Sequence, residues 1–313
     1  MTLQVFTDAF FSNVIEGSVT PNAEIPDNDI GSPPPLPQID PSKPLTLEEK
    51  FKLANLCLSA KDIATITEPV DMKAAVPLWN DLNTTLPLAV VQPSSTQEIS
   101  DTISCLYSNG VRAVPYSGGC SLMGMSVLPT SVTVDLSYMK NVTLNQDSSL
   151  LVQGGATLGD IYSAVYTQSN GIYSVVGASC PALGTGQILG GGIGSLTRMF
   201  GLACDQLLGL TIISYDGQII KVTPTENPDL FWASCGGGGG NFGIVADYAI
   251  KTVNVPPSLT SFDFSVTRDV IPFLMEVQEN IAVNADPLFS KLQLTFKNEC
   301  VSIPLTMPLT IPS

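Results

Sequence analysis

Residues 177–194 read Gly-Ala-Ser-Cys-Pro-Ala-Leu-Gly-Thr-Gly-Gln-Ile-Leu-Gly-Gly-Gly-Ile-Gly. Glycine at this density predicts backbone that adopts positive φ or lies very close to another group. The alternative is a flexible linker, but linkers are rich in serine, proline and charge, whereas Ile188, Leu189 and Ile193 are residues of buried type. Because unshielded backbone N–H groups suit an anion, the stretch favours a loop that binds a phosphate-bearing cofactor.

The composition limits the class of protein. The chain has 313 residues, of which 44% are hydrophobic and 13% charged; this excludes a disordered chain and allows a sizeable buried core. Its net charge of −15 argues against nucleic acid and anionic membranes as partners. Because lysine and arginine are scarce, backbone N–H groups must form most of any phosphate site.

Histidine is absent from the chain. This absence excludes Ser-His-Asp and Cys-His triads and weakens any zinc site. The seven cysteines show no Cys-x-x-Cys spacing, so no metal cluster is predicted. Asn83 and Asn141 begin glycosylation sequons that are compatible with secretion, although no signal peptide is visible in the first twenty residues. No apolar run is long enough to span a bilayer.

Hydrophobic periodicity predicts three successive regions. Residues 1–45 are rich in proline, aspartate and asparagine and predict a flexible N-terminal arm. Residues 46–254 combine strand and helix signals and predict an α+β domain. Val255-Pro-Pro-Ser marks a boundary before a short third region, 255–313. Its last residues, 303–313, show no turn followed by a returning strand. This pattern is what we expect of a chain that stops early.

The predicted elements of the α+β domain alternate along the chain. The apolar stripe of the first predicted helix consists of Phe51, Leu53, Ala54 and Leu56. The next helices are predicted at 95–109 and 157–166, the latter with Leu158, Ile161 and Val165 on one face. The predicted strands are 88–92, 111–116, 131–136, 150–153, 209–213, 218–222 and 243–251.

Two glycine motifs other than 177–194 bear on cofactor binding. Gly238-Gly-Gly-Asn-Phe-Gly243 matches the dinucleotide pattern Gly-x-Gly-x-x-Gly formally, but that pattern requires a helix to follow. The β-branched residues after Gly243 predict a strand instead, so a Rossmann site is rejected. Tyr116-Ser-Gly-Gly-Cys-Ser121 directly follows a predicted strand, and its small residues can direct several N–H groups at one anion.

Together, the turn 116–121, the stretch 177–194 and the segment 228–245 resemble the FAD-binding (PCMH-type) domain of the vanillyl-alcohol oxidase superfamily. The order and spacing of the motifs are most similar to the branch of berberine bridge enzyme-like proteins and glucooligosaccharide oxidases. The resemblance covers about residues 48–300. It implies an FAD-binding domain of two α/β subdomains followed by an incomplete α+β substrate domain, with the chain apparently truncated at its C-terminus.

The resemblance also implies which residues bind FAD. The first turn would wrap the pyrophosphate, residues 177–194 would run beside the isoalloxazine and diphosphate, and residues 243–245 would lie near the adenine side. The implied cofactor-binding residues are Ser117, Gly118, Gly119, Cys120, Ser121, Gly177, Cys180, Gly184, Gly190, Gly191, Gly243, Ile244 and Val245.

The chain departs from the family pattern at the flavin attachment points. Family members often attach the flavin twice, through a histidine that ends the first turn and through a cysteine followed by proline. Cys180 matches the cysteine, but Cys120 replaces the histidine and Tyr116 replaces an arginine. A single bond through Cys180 is therefore implied. A second bond from Cys120 to the 8α carbon stays open, since it requires a lowered thiol pKa.

Four further cysteines receive structural interpretations. By the resemblance, Cys57 and Cys105 match a disulfide that pins the N-terminal helix, the alternative being two buried thiols. Cys204 and Cys235 are expected to pack as small core residues.

The implied activity is FAD-dependent oxidation of an alcohol, a sugar or an amine-type small molecule, with hydride passing to flavin N5. No catalytic base is assigned, and the substrate, the electron acceptor and the oligomeric state stay open. The family suggests an extracellular location. Two alternatives remain: a non-catalytic flavin-binding relic or truncated product, and a phosphate-ligand module without flavin.

Overall fold

A computed structural model describes residues 44–80, 82–255, 259–284, 291–292, 295–297 and 300–308. The chain divides into two compact units, one formed by residues 35–255 and the other containing residues 256–313. The predicted arm 1–45 lies outside the described residues, except for its last two.

The elements of the first unit follow in chain order. The helices are α1 (Leu47–Ser59), α2 (Pro69–Ala75), α3 (Thr96–Ser108), α4 (Leu158–Gln168), α5 (Thr197–Phe200) and α6 (Pro228–Ser234). The strands are β1 (Ala89–Val91), β2 (Arg112–Tyr116), β3 (Ser131–Asp135), β4 (Val142–Leu144), β5 (Ser149–Gln153), β6 (Tyr173–Ser174), β7 (Leu207–Ile213), β8 (Ile219–Val222), β9 (Ile244–Lys251) and β10 (Val253–Asn254). Short 3-10 helices occupy Thr185–Gly190 and Cys204–Gln206.

A small parallel sheet of order β1-β3-β2 forms the first layer. Helix α1 begins at Thr46, whose side chain and Glu49 form a capping box that satisfies the first N–H groups of the helix. Helices α1 and α3 pack together and are joined by a Cys57–Cys105 disulfide, as the resemblance implied. The predicted stripe of α1 is partly wrong: Ala54 and Leu58 are buried, whereas Leu53 and Leu56 are exposed.

A five-stranded antiparallel sheet of order β4-β5-β9-β7-β8 forms the second layer. Strands β7 and β8 form the predicted hairpin around Gly217, which has φ of +91°. Helix α4 covers this sheet with Leu158, Ile161 and Val165, all buried as predicted. The core between α4 and this sheet therefore contains the three helix residues that the 3.6-residue period of the sequence indicated.

Helix α3 connects the two cores. Its Ile99 and Ile103 pack with Ile213 of β7 and Ile244 of β9. Its other end, including Leu106, belongs to the core around the parallel sheet. This shared helix holds the two α/β subdomains together, and the predicted α+β architecture is confirmed.

The second unit contains β11 (Leu259–Thr267), α7 (Ile271–Asn284), β12 (Lys291–Leu292), β13 (Thr295–Lys297) and β14 (Cys300–Pro308). The expectation of no returning strand after residue 303 is wrong, because β14 pairs antiparallel with β11 along its length. The prolines conceal this strand in the sequence. On its other side β14 pairs with β13 at residues 300–302 and with β12 at 305–306.

Candidate cofactor site

A cavity of about 480 Å³ opens in the first unit, within the range typical of small-molecule sites. Three segments that the sequence singled out contribute to its wall: the turn 117–121, residues 183–189 and residues 239–245. Strand β2 leads into the first segment, and β9 continues the third. The fold thus brings motifs far apart in the sequence around one space.

Backbone contact joins the first two segments. A Cβ added to Gly118 would clash with the backbone N of Gly184, so neither side can carry a larger residue. Ser117 Oγ and Thr185 Oγ1 both donate hydrogen bonds to the Gly154 carbonyl, at 2.8 and 2.7 Å. The turn and the glycine stretch are therefore held in fixed register.

The backbone N–H groups of residues 118–121 are available to a ligand. No hydrogen bond within the described part of the chain uses them. Gly119 has φ of +64°, which reverses the chain direction within the turn. Because residues 118–121 line the cavity, their unused N–H groups can bind an anion such as a diphosphate.

Tyr116 opens the turn where the family has arginine, and it supplies no positive charge. The ring is buried, and its hydroxyl donates a 2.6 Å hydrogen bond to the Pro77 carbonyl. Burial, followed by the negative charges of Asp135 and Cys120, raises the pKa of Tyr116 to about 12. Tyr116 is thus a neutral residue that fixes the base of the turn.

The two cysteines at the attachment positions differ in environment. Cys120 is half-buried, with Sγ 3.2 Å from the Gly118 carbonyl and 3.5 Å from the Ala182 carbonyl. Burial, followed by the charge of Cys180, raises the pKa of the Cys120 thiol. Cys180 is exposed. Because the thiolate is the nucleophile, the raised pKa disfavours attack by Cys120.

The glycine stretch 177–194 is folded back on itself. A Cβ on Gly194 would clash with the Gly177 carbonyl, so the ends of the stretch touch through backbone alone. Between them, Gly186 lines the cavity, and nothing lies within 4 Å of the place where its Cβ would be. Glycine at this position therefore keeps space open for a ligand.

Gln187 is a candidate ligand-binding residue that sequence reasoning missed. The residue lines the cavity, but its amide Nε2 and Oε1 are fully buried on the side of Gly192, without a hydrogen-bond partner among the described residues. An unpaired buried amide is costly, so it indicates a partner that the protein alone does not provide. The amide lies within the quoted stretch, but only the fold reveals its burial.

The third segment approaches the first two from β9. Gly240 packs against the ring of Pro115. Gly243 has φ of +131°, and a Cβ at this position would clash with the Ile213 carbonyl. Strand β9 begins directly after Gly243, so the rejection of a Rossmann site agrees with the strand found there.

The cavity wall includes many of the sequence-predicted residues, but not all. It contains Ser117, Gly118, Gly119, Cys120, Ser121, Gly184, Gly243 and Val245. It does not contain Gly177, Cys180, Gly190, Gly191 or Ile244. Arg112 is the one charged residue in the wall among the described residues, and no pattern in the sequence pointed to it.

Comparison with known proteins identifies the domain. Residues 87–223 match the family model described as FAD binding domain. Xylooligosaccharide oxidase from Thermothelomyces thermophilus is 34% identical over 215 residues, which are 67% of this chain and 43% of that protein. Berberine bridge enzyme-like 22 from Arabidopsis thaliana is 35% identical over 180 residues, 56% of this chain and 34% of that protein. The chain carries an FAD-binding domain that is similar to those of oligosaccharide oxidases and berberine bridge enzyme-like proteins.

A solved structure of the family supports the same assignment. Glucooligosaccharide oxidase from Acremonium strictum superposes with a TM-score of 0.75 and 29% identity, covering 82% of this chain and 54% of that structure. That oxidase carries a 6-S-cysteinyl, 8α-N1-histidyl FAD. The chain spans less than half the length of the two curated relatives. The predicted family resemblance and PCMH-type fold are confirmed.

The residues present in this domain fit FAD. Gly186 leaves room, and the turn 118–121 offers N–H groups for a diphosphate. FAD is therefore the cofactor that the domain is built to bind. Among the described residues, no helix is long and apolar enough to cross a membrane.

Proposed function

We propose that this chain is part of an FAD-linked oxidoreductase that oxidises an alcohol, a sugar or an amine-type small molecule. The observation that carries the proposal is the cavity between three glycine-rich segments, with the unused backbone N–H groups of residues 118–121 in its wall. FAD supplies a hydride acceptor at N5. Because relatives include oxidases of xylooligosaccharides and glucooligosaccharides, an oligosaccharide is the substrate class that we favour.

Each segment has a distinct role in binding the cofactor. The N–H groups of residues 118–121, with Ser117 preceding them, bind the diphosphate. Gly177, Gly184, Gly190 and Gly191 lie beside the isoalloxazine and diphosphate, and Gln187 hydrogen-bonds a polar edge of FAD. Gly243, Ile244 and Val245 lie near the adenine side.

Cys180 is the single covalent attachment point. Its exposure makes the thiol accessible, whereas the raised pKa of Cys120 disfavours a second bond. No histidine exists in the chain for the bond that the glucooligosaccharide oxidase has. We therefore propose a flavin linked through Cys180 alone.

The other regions have subordinate roles in the proposal. Residues 46–254 form the FAD-binding domain, and residues 255–313 are part of a substrate domain. The Cys57–Cys105 disulfide and the sequons at Asn83 and Asn141 support an extracellular location, because disulfides persist in oxidising compartments.

Absorption spectroscopy tests the proposal. The purified chain should show flavin absorption bands, and an oligosaccharide from a panel of sugars, alcohols and amines should bleach them under anaerobic conditions. Bound flavin that no member of the panel reduces would favour the non-catalytic flavin-binding protein. Purified chain without flavin, and unable to take up added FAD, would contradict the proposal and favour a different phosphate ligand.

A further inference from the structure

Two cysteines outside the attachment positions meet behind the cavity wall. Cys204 is buried at the start of the second 3-10 helix, and Cys235 follows α6. Cys235 Sγ lies 3.7 Å from the Cys204 carbonyl, so its thiol reaches the backbone of the residue that carries the other thiol. Side chains separated by 31 residues in sequence are therefore direct neighbours.

The backbone next to each cysteine binds the same short segment, residues 189–191. Cys204 N–H donates to the Gly191 carbonyl at 2.9 Å. On the other side, Gly236 N–H and Gly238 N–H donate to the Leu189 carbonyl at 3.0 and 2.8 Å. Two chain segments are thus fixed to one strip of backbone, with the cysteine pair beside it.

This strip and the glycine run after Cys235 border the cofactor cavity. Leu189, Gly239 and Gly240 line it. Gly236, Gly238 and Gly240 have φ of +105°, +90° and +77°, and they have no side chains that could lock these conformations by packing. The shape of this part of the wall therefore depends on hydrogen bonds, namely those to Leu189 and those that join Gly237 to Ala233 and Asn241.

We propose that Cys204 and Cys235 form a second disulfide, which fixes residues 236–240 against residues 189–191 and so preserves the back wall of the cavity. The disulfide itself does not depend on the proposed function; its effect on cofactor retention does. The sequence predicted that Cys204 and Cys235 pack as small core residues. Both side chains do pack in the core around the antiparallel sheet, and that prediction applies to the pair in its reduced form.

The oxidant is a low-molecular-weight disulfide such as oxidised glutathione, available in the compartments where Cys57–Cys105 persists. Burial raises the pKa of both thiols, to about 11 for Cys204, so the exchange proceeds through a small thiolate fraction. The Cys235 thiolate, the less buried of the two, attacks one sulfur of the oxidant and releases one glutathione. The Cys204 thiolate then attacks the mixed disulfide and releases the second. Two thiols are oxidised, the oxidant takes two electrons, and the two thiol protons end on two glutathione molecules.

Peptide mapping tests the disulfide directly. The full chain is folded in a glutathione redox buffer, denatured in N-ethylmaleimide without reductant, and digested. We expect a cross-linked peptide pair containing Cys204 and Cys235 that lacks two hydrogens, beside the pair from Cys57 and Cys105. Maleimide adducts on both Cys204 and Cys235, with Cys57–Cys105 intact, would overturn the inference.

Amide hydrogen exchange tests what the disulfide does. In the double variant Cys204→Ala/Cys235→Ser, the amides of residues 236–242 should exchange about tenfold faster than in the oxidised wild type. The matched control Cys57→Ala/Cys105→Ala removes one disulfide elsewhere and should leave exchange at 236–242 within about twofold. Equal exchange in both double variants would contradict the proposed effect.

The flavin measurements separate this inference from the proposed function. If the cross-linked pair is present and the chain binds FAD, FAD should dissociate about tenfold faster from Cys204→Ala/Cys235→Ser than from the wild type. A cross-linked pair in a chain that binds no FAD would refute the proposed function alone. A missing pair in a chain that binds FAD would refute the disulfide alone.

Discussion

The turn 116–121 and the stretch 177–194 face each other across one cavity, and their side chains contribute differently. The turn has a neutral tyrosine at its start and a half-buried thiol whose pKa burial raises. The stretch has an exposed cysteine and an unpartnered buried amide. In the glucooligosaccharide oxidase, the flavin is attached to both a cysteine and a histidine. Here we infer that the turn offers backbone N–H groups, whereas the stretch offers the reactive side chains.

Cys180→Ala should have the largest effect, because it removes the proposed bond between the protein and the flavin. After acid precipitation, the wild type should retain its flavin in the pellet, and Cys180→Ala should release essentially all of it. The matched change in the turn, Cys120→Ala, should retain flavin as the wild type does. Release from Cys120→Ala but not from Cys180→Ala would reverse the assignment of the two cysteines.

Substitutions at two glycines should show which glycine leaves space for the cofactor and which one is required for packing of the protein itself. Gly186→Val extends into the open cavity, so FAD affinity should fall by about 100-fold, the upper end of what overpacking costs. The free energy of unfolding of the apoprotein should change by less than about 1 kcal/mol. Isothermal titration calorimetry and chemical denaturation measure the two quantities.

Gly118→Ala provides the contrast for Gly186→Val. Its Cβ would clash with the Gly184 backbone, so the apoprotein should lose about 1–3 kcal/mol of stability. An apoprotein of Gly118→Ala as stable as the wild type would show that the two walls are not packed as described.

Gln187→Leu should change cofactor affinity and apoprotein stability in opposite directions. Leucine removes the hydrogen bond proposed for FAD, so the dissociation constant should rise about tenfold, equivalent to about 1.4 kcal/mol. It also removes a buried, unpartnered amide, so the melting temperature of the apoprotein should rise. Differential scanning fluorimetry with and without FAD measures both effects, and a fall of both together would contradict a cofactor-binding role.

Tyr116→Phe should have the smallest effect. It removes the hydrogen bond to the Pro77 carbonyl, which should cost about 1 kcal/mol of stability at neutral pH. Because the folded-state pKa is raised to about 12 from about 10, the stability linked to neutral Tyr116 is complete below pH 10 and lost as pH rises through 12. The stability difference between wild type and variant should therefore narrow from pH 10 to 12 in urea denaturation curves. A constant difference would refute this linkage.

Strong local signals made most of the fold predictable from the sequence. Alternating strand and helix patterns located β2, β7, β8, β9, α3 and α4 to within a few residues. The seven-residue helices α2 and α6 were missed, because two turns of helix give too few positions to establish a period. Leu53 and Leu56 were wrongly assigned to the buried face, since only packing against α3 determines which side of α1 is covered.

The candidate site was predictable to a smaller extent. Glycine patterns located all three wall segments, because glycine density is visible in the sequence itself. Gln187 and Arg112 could not be predicted, since their interest depends on a cavity that forms only when distant segments meet. The contact between Cys204 and Cys235 was equally hidden, because sequence spacing does not report which thiols become neighbours.

Mapping the flavin-bearing peptide tests the central claim most directly. The wild-type chain, loaded with FAD, is denatured and digested, and the peptides that absorb as flavin are sequenced by mass spectrometry. We predict that flavin is found on one peptide, the one that contains Cys180. Flavin on the Cys120 peptide, or flavin lost entirely on denaturation, would contradict attachment through the stretch 177–194.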